Sequence, residues 1–119
     1  MSKPGHMKQD LPAVQKAYDL GKEILPRVGN YPKEYKFSLG ERLNDNVLDI
    51  IELLVQAAYT REKVNLLDRA NMKLERMRFL LRLSHELGAL STKGFEHVMK
   101  MVTELGRQIG GWRKQAAGR

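Results

Sequence analysis

NMKLERMRFLLRLS, residues 71–84, is the stretch that decides the fold. In and just before it, apolar and small residues recur at alternating spacings of three and four, which is one face of an α-helix. This face consists of Leu67, Ala70, Leu74, Met77, Leu81 and Ser84. The opposite face places Met72, Phe79 and Leu83 among Arg76, Arg78 and Arg82. Because a helix that is apolar on two sides has two surfaces to bury, we expect one to face the chain's own core and the other to face a partner.

Two amphipathic segments precede this helix. We predict a first helix over residues 11–28, and its buried stripe is Leu11, Val14, Tyr18, Gly21, Leu25 and Val28, widened by Ala17 and Ile24. We predict a second helix over residues 39–59, because Ser38 and Glu41 have the spacing of a capping box, in which each side chain accepts a hydrogen bond from the other residue's backbone amide. The buried stripe of the second helix is Leu43, Val47, Ile50, Leu54 and Ala57.

The quoted stretch belongs to a third helix, predicted over residues 61–87. Thr60 is suited to cap its start, and Gly88 is suited to the left-handed conformation after its end. Ser91 is placed to cap a fourth helix over residues 92–116, whose stripe is Phe95, Val98, Val102, Leu105, Ile109 and Trp112. Four amphipathic helices joined by short turns, without any strand pattern, predict an all-α fold, an antiparallel up-down four-helix bundle.

The length of 119 residues corresponds to one domain, which we place at residues 11–117. Residues 1–10 form an N-terminal tail in this interpretation, and the first seven resemble an expression tag. The absence of cysteine excludes disulfides and thiolate metal sites. Since the sequence contains neither an apolar run of about 20 residues nor a visible signal peptide, we expect a cytoplasmic protein.

Positive charge is concentrated in the second half of the chain. The net charge is +7, yet residues 1–60 contain eight basic and eight acidic residues, whereas residues 61–119 contain thirteen basic and six acidic ones. Such asymmetry is typical of proteins with an anionic partner, most simply nucleic acid. The charge by itself is equally consistent with a basic surface that keeps the protein soluble.

Basic residues recur every seven positions in the fourth helix, on the side away from its apolar stripe. They are Lys93, Lys100, Arg107 and Lys114, and together with Arg76, Arg78 and Arg82 they are our candidate nucleic-acid-binding residues. Evenly spaced cations on a rigid helix suit a phosphate backbone, so we expect binding that is sensitive to salt and weakly specific for sequence. Phe79 is the one candidate for base stacking, although its position favours a subunit interface.

Residues typical of enzymes are missing. There is no phosphate-binding glycine loop, no nucleophile elbow and no Glu-x-x-His motif of a di-iron bundle. Asp45, Asp49 and Glu52 share one face of the second helix, but no histidine accompanies them, which favours a solvated face. His85 and His97 each adjoin a glutamate, a spacing that does not bring two ligands together on a helix. We therefore predict no catalytic residue, no metal and no cofactor.

Three glycines lie within the fourth helix, at positions 106, 110 and 111. Each costs up to about 1 kcal/mol relative to alanine. We expect them to permit close approach of another helix, with Trp112 packed over the gap. The alternative is that Gly110 and Gly111 begin the fraying of the C-terminus.

Two strings of residues also resemble a known family. They are ANMKLERMRFLLRLSHEL at residues 70–87 and ELGRQIGGW at residues 104–112, supported by SLGER at residues 38–42 and by residues 48–59. Over residues 11–115 the chain resembles the Avd (accessory variability determinant) family of diversity-generating retroelements. It also resembles the related four-helix-bundle proteins encoded in 23S rRNA intervening sequences.

The resemblance implies a basic four-helix bundle that assembles into a homopentameric barrel. It implies a non-catalytic accessory subunit that binds the element's reverse transcriptase and template-repeat RNA and supports mutagenic synthesis of cDNA. On this basis we assign Met72, Phe79, Leu83 and Trp112 to the oligomer interface. The alternative is a structural adapter of the intervening-sequence type, which has no reverse-transcriptase partner.

Overall fold

The computed structural model describes residues 7–118, with side chains from residue 12 onward. Its helices are α1 (Met7–Gly29), α2 (Lys33–Tyr35), α3 (Glu41–Ala58), α4 (Val64–Glu86) and α5 (Thr92–Ala117), and a π-helical turn, Lys36–Gly40, joins α2 to α3. No strand occurs among the described residues. The all-α prediction is confirmed, and the four long helices are α1, α3, α4 and α5.

The long helices surround one apolar core. Helices α1 and α4 each pack against both α3 and α5. Two hydrogen bonds join α4 to α5: Arg78 donates to Thr103, and Arg113 donates to Asp68. The lower residue number on α4 is thus paired with the higher one on α5. These two helices are therefore antiparallel, as expected for an up-down bundle.

The buried face of α1 differs from the predicted one. The buried residues are Ala13, Ala17, Leu20, Ile24 and Val28, whereas Tyr18 and Leu25 of the predicted stripe are 55% and 38% exposed. The prediction of those two as core residues is wrong. The physical reason lies at Gly21, where an added Cβ would lie 3.1 Å from Cδ1 of Ile51 in α3. Because Gly21 faces α3 at close range, α1 is rotated so that Tyr18 and Leu25 point to the surface.

The second helical segment starts earlier than predicted, and the capping box is absent. The carbonyl of Pro32 accepts hydrogen bonds from the amides of Tyr35 and Lys36, each at 2.9 Å, so helical structure begins at Lys33 instead of residue 39. Ser38 lies inside the π-helical turn, where its Oγ donates to the Tyr35 carbonyl at 3.3 Å. The next residues, Leu39 and Gly40, are buried, and this packing holds the chain in a helical conformation through Ser38.

The connection between α3 and α4 is closed by a residue that the sequence pattern did not indicate. Thr60 was expected to cap the third helix, but its Oγ1 donates to the carbonyl of Gln56 at 2.7 Å, at the end of α3. Helix α4 begins four residues later. Lys63 is only 8% exposed, and its Nζ donates to the carbonyls of Ala57 at 2.6 Å and Thr60 at 2.8 Å. A buried ammonium thus donates to two carbonyls at the end of α3, of which that of Ala57 also accepts from the Thr60 amide at 3.4 Å.

The connection between α4 and α5 agrees with the prediction. Gly88 has φ +82°, and its amide donates to His85 while the next amide donates to Ser84. This is the Schellman arrangement, in which the left-handed residue lets the chain satisfy the last carbonyls of the helix. Oγ of Ser91 accepts a hydrogen bond from the amide of Gly94 at 3.0 Å and so caps α5.

The glycines of α5 have different environments. A Cβ on Gly106 would lie 3.2 Å from Nη2 of Arg78 and 3.4 Å from Cδ2 of Leu74, so the expected close approach of another helix is confirmed there. Gly110 and Gly111 are exposed, and among the described residues no atom would lie within 4 Å of an added Cβ. Close packing is therefore wrong for these two. Fraying is equally wrong, because α5 continues to Ala117.

The predicted tail lies partly outside the described residues. Residues 1–6 are not described, and residues 7–10 belong to α1, so the division into a tail and a bundle domain stays a prediction. Of the helices in the described part, none is both long and apolar enough to cross a bilayer.

Candidate nucleic-acid interface

Four basic side chains line the outer face of α5, and all four are exposed: Lys93, Lys100, Arg107 and Lys114. The opposite face supplies core residues that include Val98, Val102, Leu105 and Ile109. Since seven residues make nearly two helical turns, successive basic side chains lie about 10 Å apart along the axis. We call this group the α5 ridge, and the structure places it where the sequence pattern predicted.

Most of the ridge is not neutralised within the chain. Arg107 pairs with Glu104 at 3.0 Å and remains largely exposed. Among the described residues, no carboxylate lies within 4 Å of the ammonium groups of Lys93, Lys100 or Lys114. Three ammonium groups on one rigid face are thus available to an external anion.

Arg78 and Arg82 lie on α4 and are both engaged within the chain. Arg78 bonds Glu75 at 3.1 Å and Thr103 at 3.4 Å, and its guanidinium lies over Gly106. This residue therefore joins α4 to α5 more than it faces solvent. Arg82 bonds Glu86 at 3.3 Å and is 65% exposed, so it can still contact a ligand.

Arg76 is separated from the α5 ridge. It lies in a groove between α3 and α4, together with Asp45, Asp49 and Lys73, and Lys73 pairs with Asp49 at 3.1 Å. Positions 76 and 78 are about 200° apart on a helix, so Arg78 faces α5 and Arg76 faces away from it. The seven predicted residues therefore do not form one continuous surface.

Sequence reasoning missed a cleft at the start of α5. It is lined by Arg27, Ser91, Lys93, Gly94 and His97. Arg27 comes from the last turn of α1 and pairs with Glu23, which also lies 3.4 Å from Nε2 of His97. The cleft brings the ion pair of Arg27 and Glu23 on α1 beside Lys93 of the α5 ridge. An up-down bundle places the end of α1 beside the start of α5. This rule, applied to Arg27, could have identified the cleft from the sequence.

Arg113, at the other end of α5, is bound to α4. Its Nε and Nη2 donate to the two carboxylate oxygens of Asp68 at 2.8 and 3.3 Å. This hydrogen bonding, together with the positive charge of Arg113, holds the pKa of Asp68 below its usual value, and the same hydrogen bonding with the negative charge of Asp68 raises the pKa of Arg113. Because both groups are exposed, the pair aligns the helices without contributing much stability. Arg113 is thus not free to extend the ridge in the way that Lys114 does.

The residues assigned to an oligomer interface divide into two groups. Met72, Phe79 and Leu83 lie on the outer face of α4 and are 58%, 67% and 44% exposed. Trp112 is 4% exposed and packs in the core, so its assignment to a subunit interface is corrected. The indole faces inward because it continues the buried stripe of Leu105 and Ile109.

The histidines have local partners. His85 stacks on Phe95 with ring centroids 4.7 Å apart, and its Nε2 lies 3.0 Å from Oγ1 of Thr92. No group of three or more His, Asp or Glu side chains with metal-ligand geometry occurs in the described part of the chain. The arrangement of the described side chains suits anion binding and helix packing.

A comparison with protein families found one match that spans most of the chain. The model of the family described as bAvd-like matches residues 12–116. No curated protein matches the sequence.

Proposed function

The chain belongs to the bAvd-like family, and from this premise we propose that it is a non-catalytic accessory subunit of a diversity-generating retroelement. In this role it binds the element's reverse transcriptase and template RNA in the cytoplasm, and supports mutagenic synthesis of cDNA. We further propose that it acts as a homo-oligomer, specifically a pentamer.

The observation that best supports RNA binding is the α5 ridge. Its three unneutralised lysines and Arg107 lie on one helix whose inner face is anchored in the core. The span from Lys93 to Lys114 is about 32 Å at 1.5 Å per residue. A rigid row of cations of this length matches the repeating charge of a nucleic-acid backbone and needs little ordering on binding.

Contacts with phosphates provide affinity for RNA without recognition of base identity. Each phosphate that a lysine neutralises releases condensed counterions, so the logarithm of the binding constant falls linearly with the logarithm of salt concentration. The slope is about 0.7 per contact on a single strand and about 0.9 on duplex DNA. Arg82 and the cleft residue Arg27 are further cations, and each is paired with a glutamate of its own chain.

The ridge is tested by the double variant Lys100→Gln/Lys114→Gln. Binding of labelled template-repeat RNA is titrated at a series of KCl concentrations. We expect weaker binding and a log–log slope reduced by about 1.4, which corresponds to two lost contacts on a single strand. Both side chains are exposed, so the helical circular-dichroism signal should be unchanged.

The matched control is Lys22→Gln/Lys33→Gln, which removes the same charge from exposed positions outside α5. It should lower affinity only slightly and leave the slope near that of the wild type. If the ridge variant and the control change the slope equally, binding reflects net charge and the ridge is the wrong surface. An unaltered slope in both variants would contradict phosphate contact by these lysines.

A further inference from the structure

The groove between α3 and α4 is a polar site that lies away from the α5 ridge. It offers about 560 Å³ of space, a volume in the range of small-molecule sites. Its walls carry arginine, lysine and aspartate side chains, and its lining also includes the amide of Asn46 and the ring of Phe79. We call it the α3–α4 groove.

The charged groups of the groove are only partly paired within the chain. Lys73 pairs with Asp49 at 3.1 Å. Within the described residues, no carboxylate lies within 4 Å of the Arg42 or Arg76 guanidinium, and no cation lies within 4 Å of the Asp45 carboxylate. The lining holds three cations and two carboxylates, which leaves a net charge of +1. The groove therefore favours an anionic ligand over a cationic one.

Asn46 supplies a buried acceptor to the groove. It is only 9% exposed, yet it belongs to the lining. Its Nδ2 donates to the carbonyl of Arg42 at 2.8 Å, and this bond fixes the orientation of the amide, because the nitrogen is the only donor of the side chain. No described residue donates to Oδ1 of Asn46. A nine-tenths buried side chain thus keeps an acceptor available to a ligand.

These groups together define the chemistry of the ligand. The Asp45 carboxylate and Oδ1 of Asn46 are acceptors, so they suit an edge that carries N–H donors. Phe79 is 67% exposed and offers a ring on which a planar group can stack. The unpaired guanidinium groups of Arg42 and Arg76 suit a phosphate. A nucleotide combines a planar base, a donor edge and a phosphate.

Among the bases, guanine matches the acceptors of the groove best. Its Watson–Crick edge has two adjacent donors, N1–H and the 2-amino group, and a carboxylate can accept two parallel N–H bonds. Adenine and cytosine place one amino donor beside an acceptor nitrogen, which a carboxylate repels. We propose that the α3–α4 groove is a guanine-nucleotide site. The base stacks on Phe79 and turns its donor edge to Asp45 and Asn46, and the phosphate lies against Arg42 and Arg76.

This inference goes beyond the proposed function, in which the α5 ridge holds RNA without recognition of base identity. Recognition of guanine belongs to a second surface, and the nucleotide is either free or part of a single strand. The site gives Arg76, which is separated from the ridge, a role of its own. It also assigns Phe79 to the groove instead of the subunit contact, for which Met72 and Leu83 remain candidates.

The first test is calorimetric titration of the full-length chain with nucleoside monophosphates. GMP should bind about tenfold or more tightly than AMP, CMP and UMP, because a matched pair of hydrogen bonds discriminates bases by at least this factor. IMP, which is GMP without the 2-amino group, should lose a similar factor. An absence of GMP binding, or an affinity that does not depend on the base, would overturn the proposal.

The variant Asp45→Asn separates base recognition from damage to the fold. It should bind GMP about tenfold more weakly, since an amide offers one acceptor where the carboxylate offers two. It should bind XMP more tightly than the wild type does, because XMP has an oxygen in place of the 2-amino group and accepts a hydrogen bond from the new amide. A damaged fold cannot produce this gain. A variant that still prefers GMP to XMP would contradict contact between Asp45 and the base.

Two further variants test the stacking ring and the phosphate contact. Phe79→Leu and Arg76→Gln should each weaken GMP binding by about tenfold. Their matched controls, Phe37→Leu and Arg69→Gln, change exposed residues that do not line the groove and should leave the affinity unchanged. If each variant and its control have equal effects, the groove is the wrong site.

Two RNA strands distinguish a free nucleotide from one within RNA. Single-stranded RNAs of equal length are compared, one with guanine and one with inosine at the same positions. Tighter binding of the guanine strand shows that the groove takes its base from RNA, whereas equal binding, with GMP still bound, assigns the site to a free nucleotide. If RNA binds the ridge and GMP does not bind, only this inference fails. If GMP binds and RNA does not, only the proposed function fails.

Discussion

Lys63 shows how one buried charge can complete a helix terminus. The last carbonyls of a helix have no partner within the helix, and at the end of α3 two of the neighbouring carbonyls are satisfied by the Lys63 ammonium. Burial of a lysine is costly unless its charge is hydrogen-bonded. Here the two carbonyls accept hydrogen bonds from the ammonium.

Replacement of Lys63 by methionine keeps much of the side-chain volume and removes both hydrogen bonds. We expect the free energy of unfolding to fall by about 1–3 kcal/mol, because the carbonyls of Ala57 and Thr60 lose the hydrogen bonds from the ammonium and Ala57 keeps only backbone donors. Chemical denaturation followed by circular dichroism, at one protein concentration, measures the change. The exposed Lys93→Met should change stability by less than about 0.5 kcal/mol. Equal stability of Lys63→Met and the wild type would mean that water replaces the ammonium.

Helix α5 combines a buried inner face with an outer face that is free of packing constraints. Its inner residues are anchored in the core, and Gly106 permits the close approach of α4. Gly110 has no comparable neighbour. A glycine in an exposed helix interior reduces stability, because it loses more backbone entropy than alanine does on folding.

The two glycines should therefore respond differently to alanine. Gly110→Ala is expected to raise the free energy of unfolding by about 0.5–1 kcal/mol. Gly106→Ala should bring a smaller gain or a loss, since its Cβ would press on Arg78 and Leu74 at 3.2 and 3.4 Å. Thermal and urea denaturation of both variants measure which of them is the more stable. If Gly106→Ala proves the more stabilising, α4 can move away from α5 at small cost.

At the scale of the whole molecule, the proposed functional surfaces lie on different helices. The bundle is 46 Å long and about half as wide, with the α5 ridge on one helix and the exposed apolar residues Met72, Phe79 and Leu83 on the outer face of another, α4. Because these surfaces do not overlap, oligomerisation and RNA binding can occur together. Tyr18 and Leu25 of α1 expose a further apolar surface, where the Lys22 ammonium lies 6.0 Å from the centre of the Tyr18 ring.

Binding of the proposed partner, the reverse transcriptase, should change the mass of the particle. Light scattering of the chain alone should give the mass of a closed ring, and addition of the reverse transcriptase of the same retroelement should give a heavier complex. The expected ring is a pentamer. A bovine serum albumin control should leave the mass unchanged. A monomer that does not respond to the enzyme would contradict the accessory-subunit proposal and favour the structural adapter.

The sequence by itself determined most of the helices and one complete connection. Helix positions depend on a period of 3.6 residues, and the turn at Gly88 and Ser91 depends on conformational preferences and hydrogen bonds within a few residues. These effects are local, so they can be predicted directly from the sequence. The exposure of the α5 ridge follows from the same period, because only one side of α5 is apolar and the basic residues lie on the other side.

Only the tertiary structure decided what depends on neighbouring helices. Helix α1 is apolar on two adjacent sides, and the contact of Gly21 with α3 selects the side of Ala17 and Leu20 over that of Tyr18 and Leu25. The separation of Arg76 from the ridge, the burial of Trp112 and the two bonds of Lys63 likewise depend on where other elements lie. Periodicity identifies the faces of a helix, but the choice of the face to be buried is made by packing against elements distant in sequence.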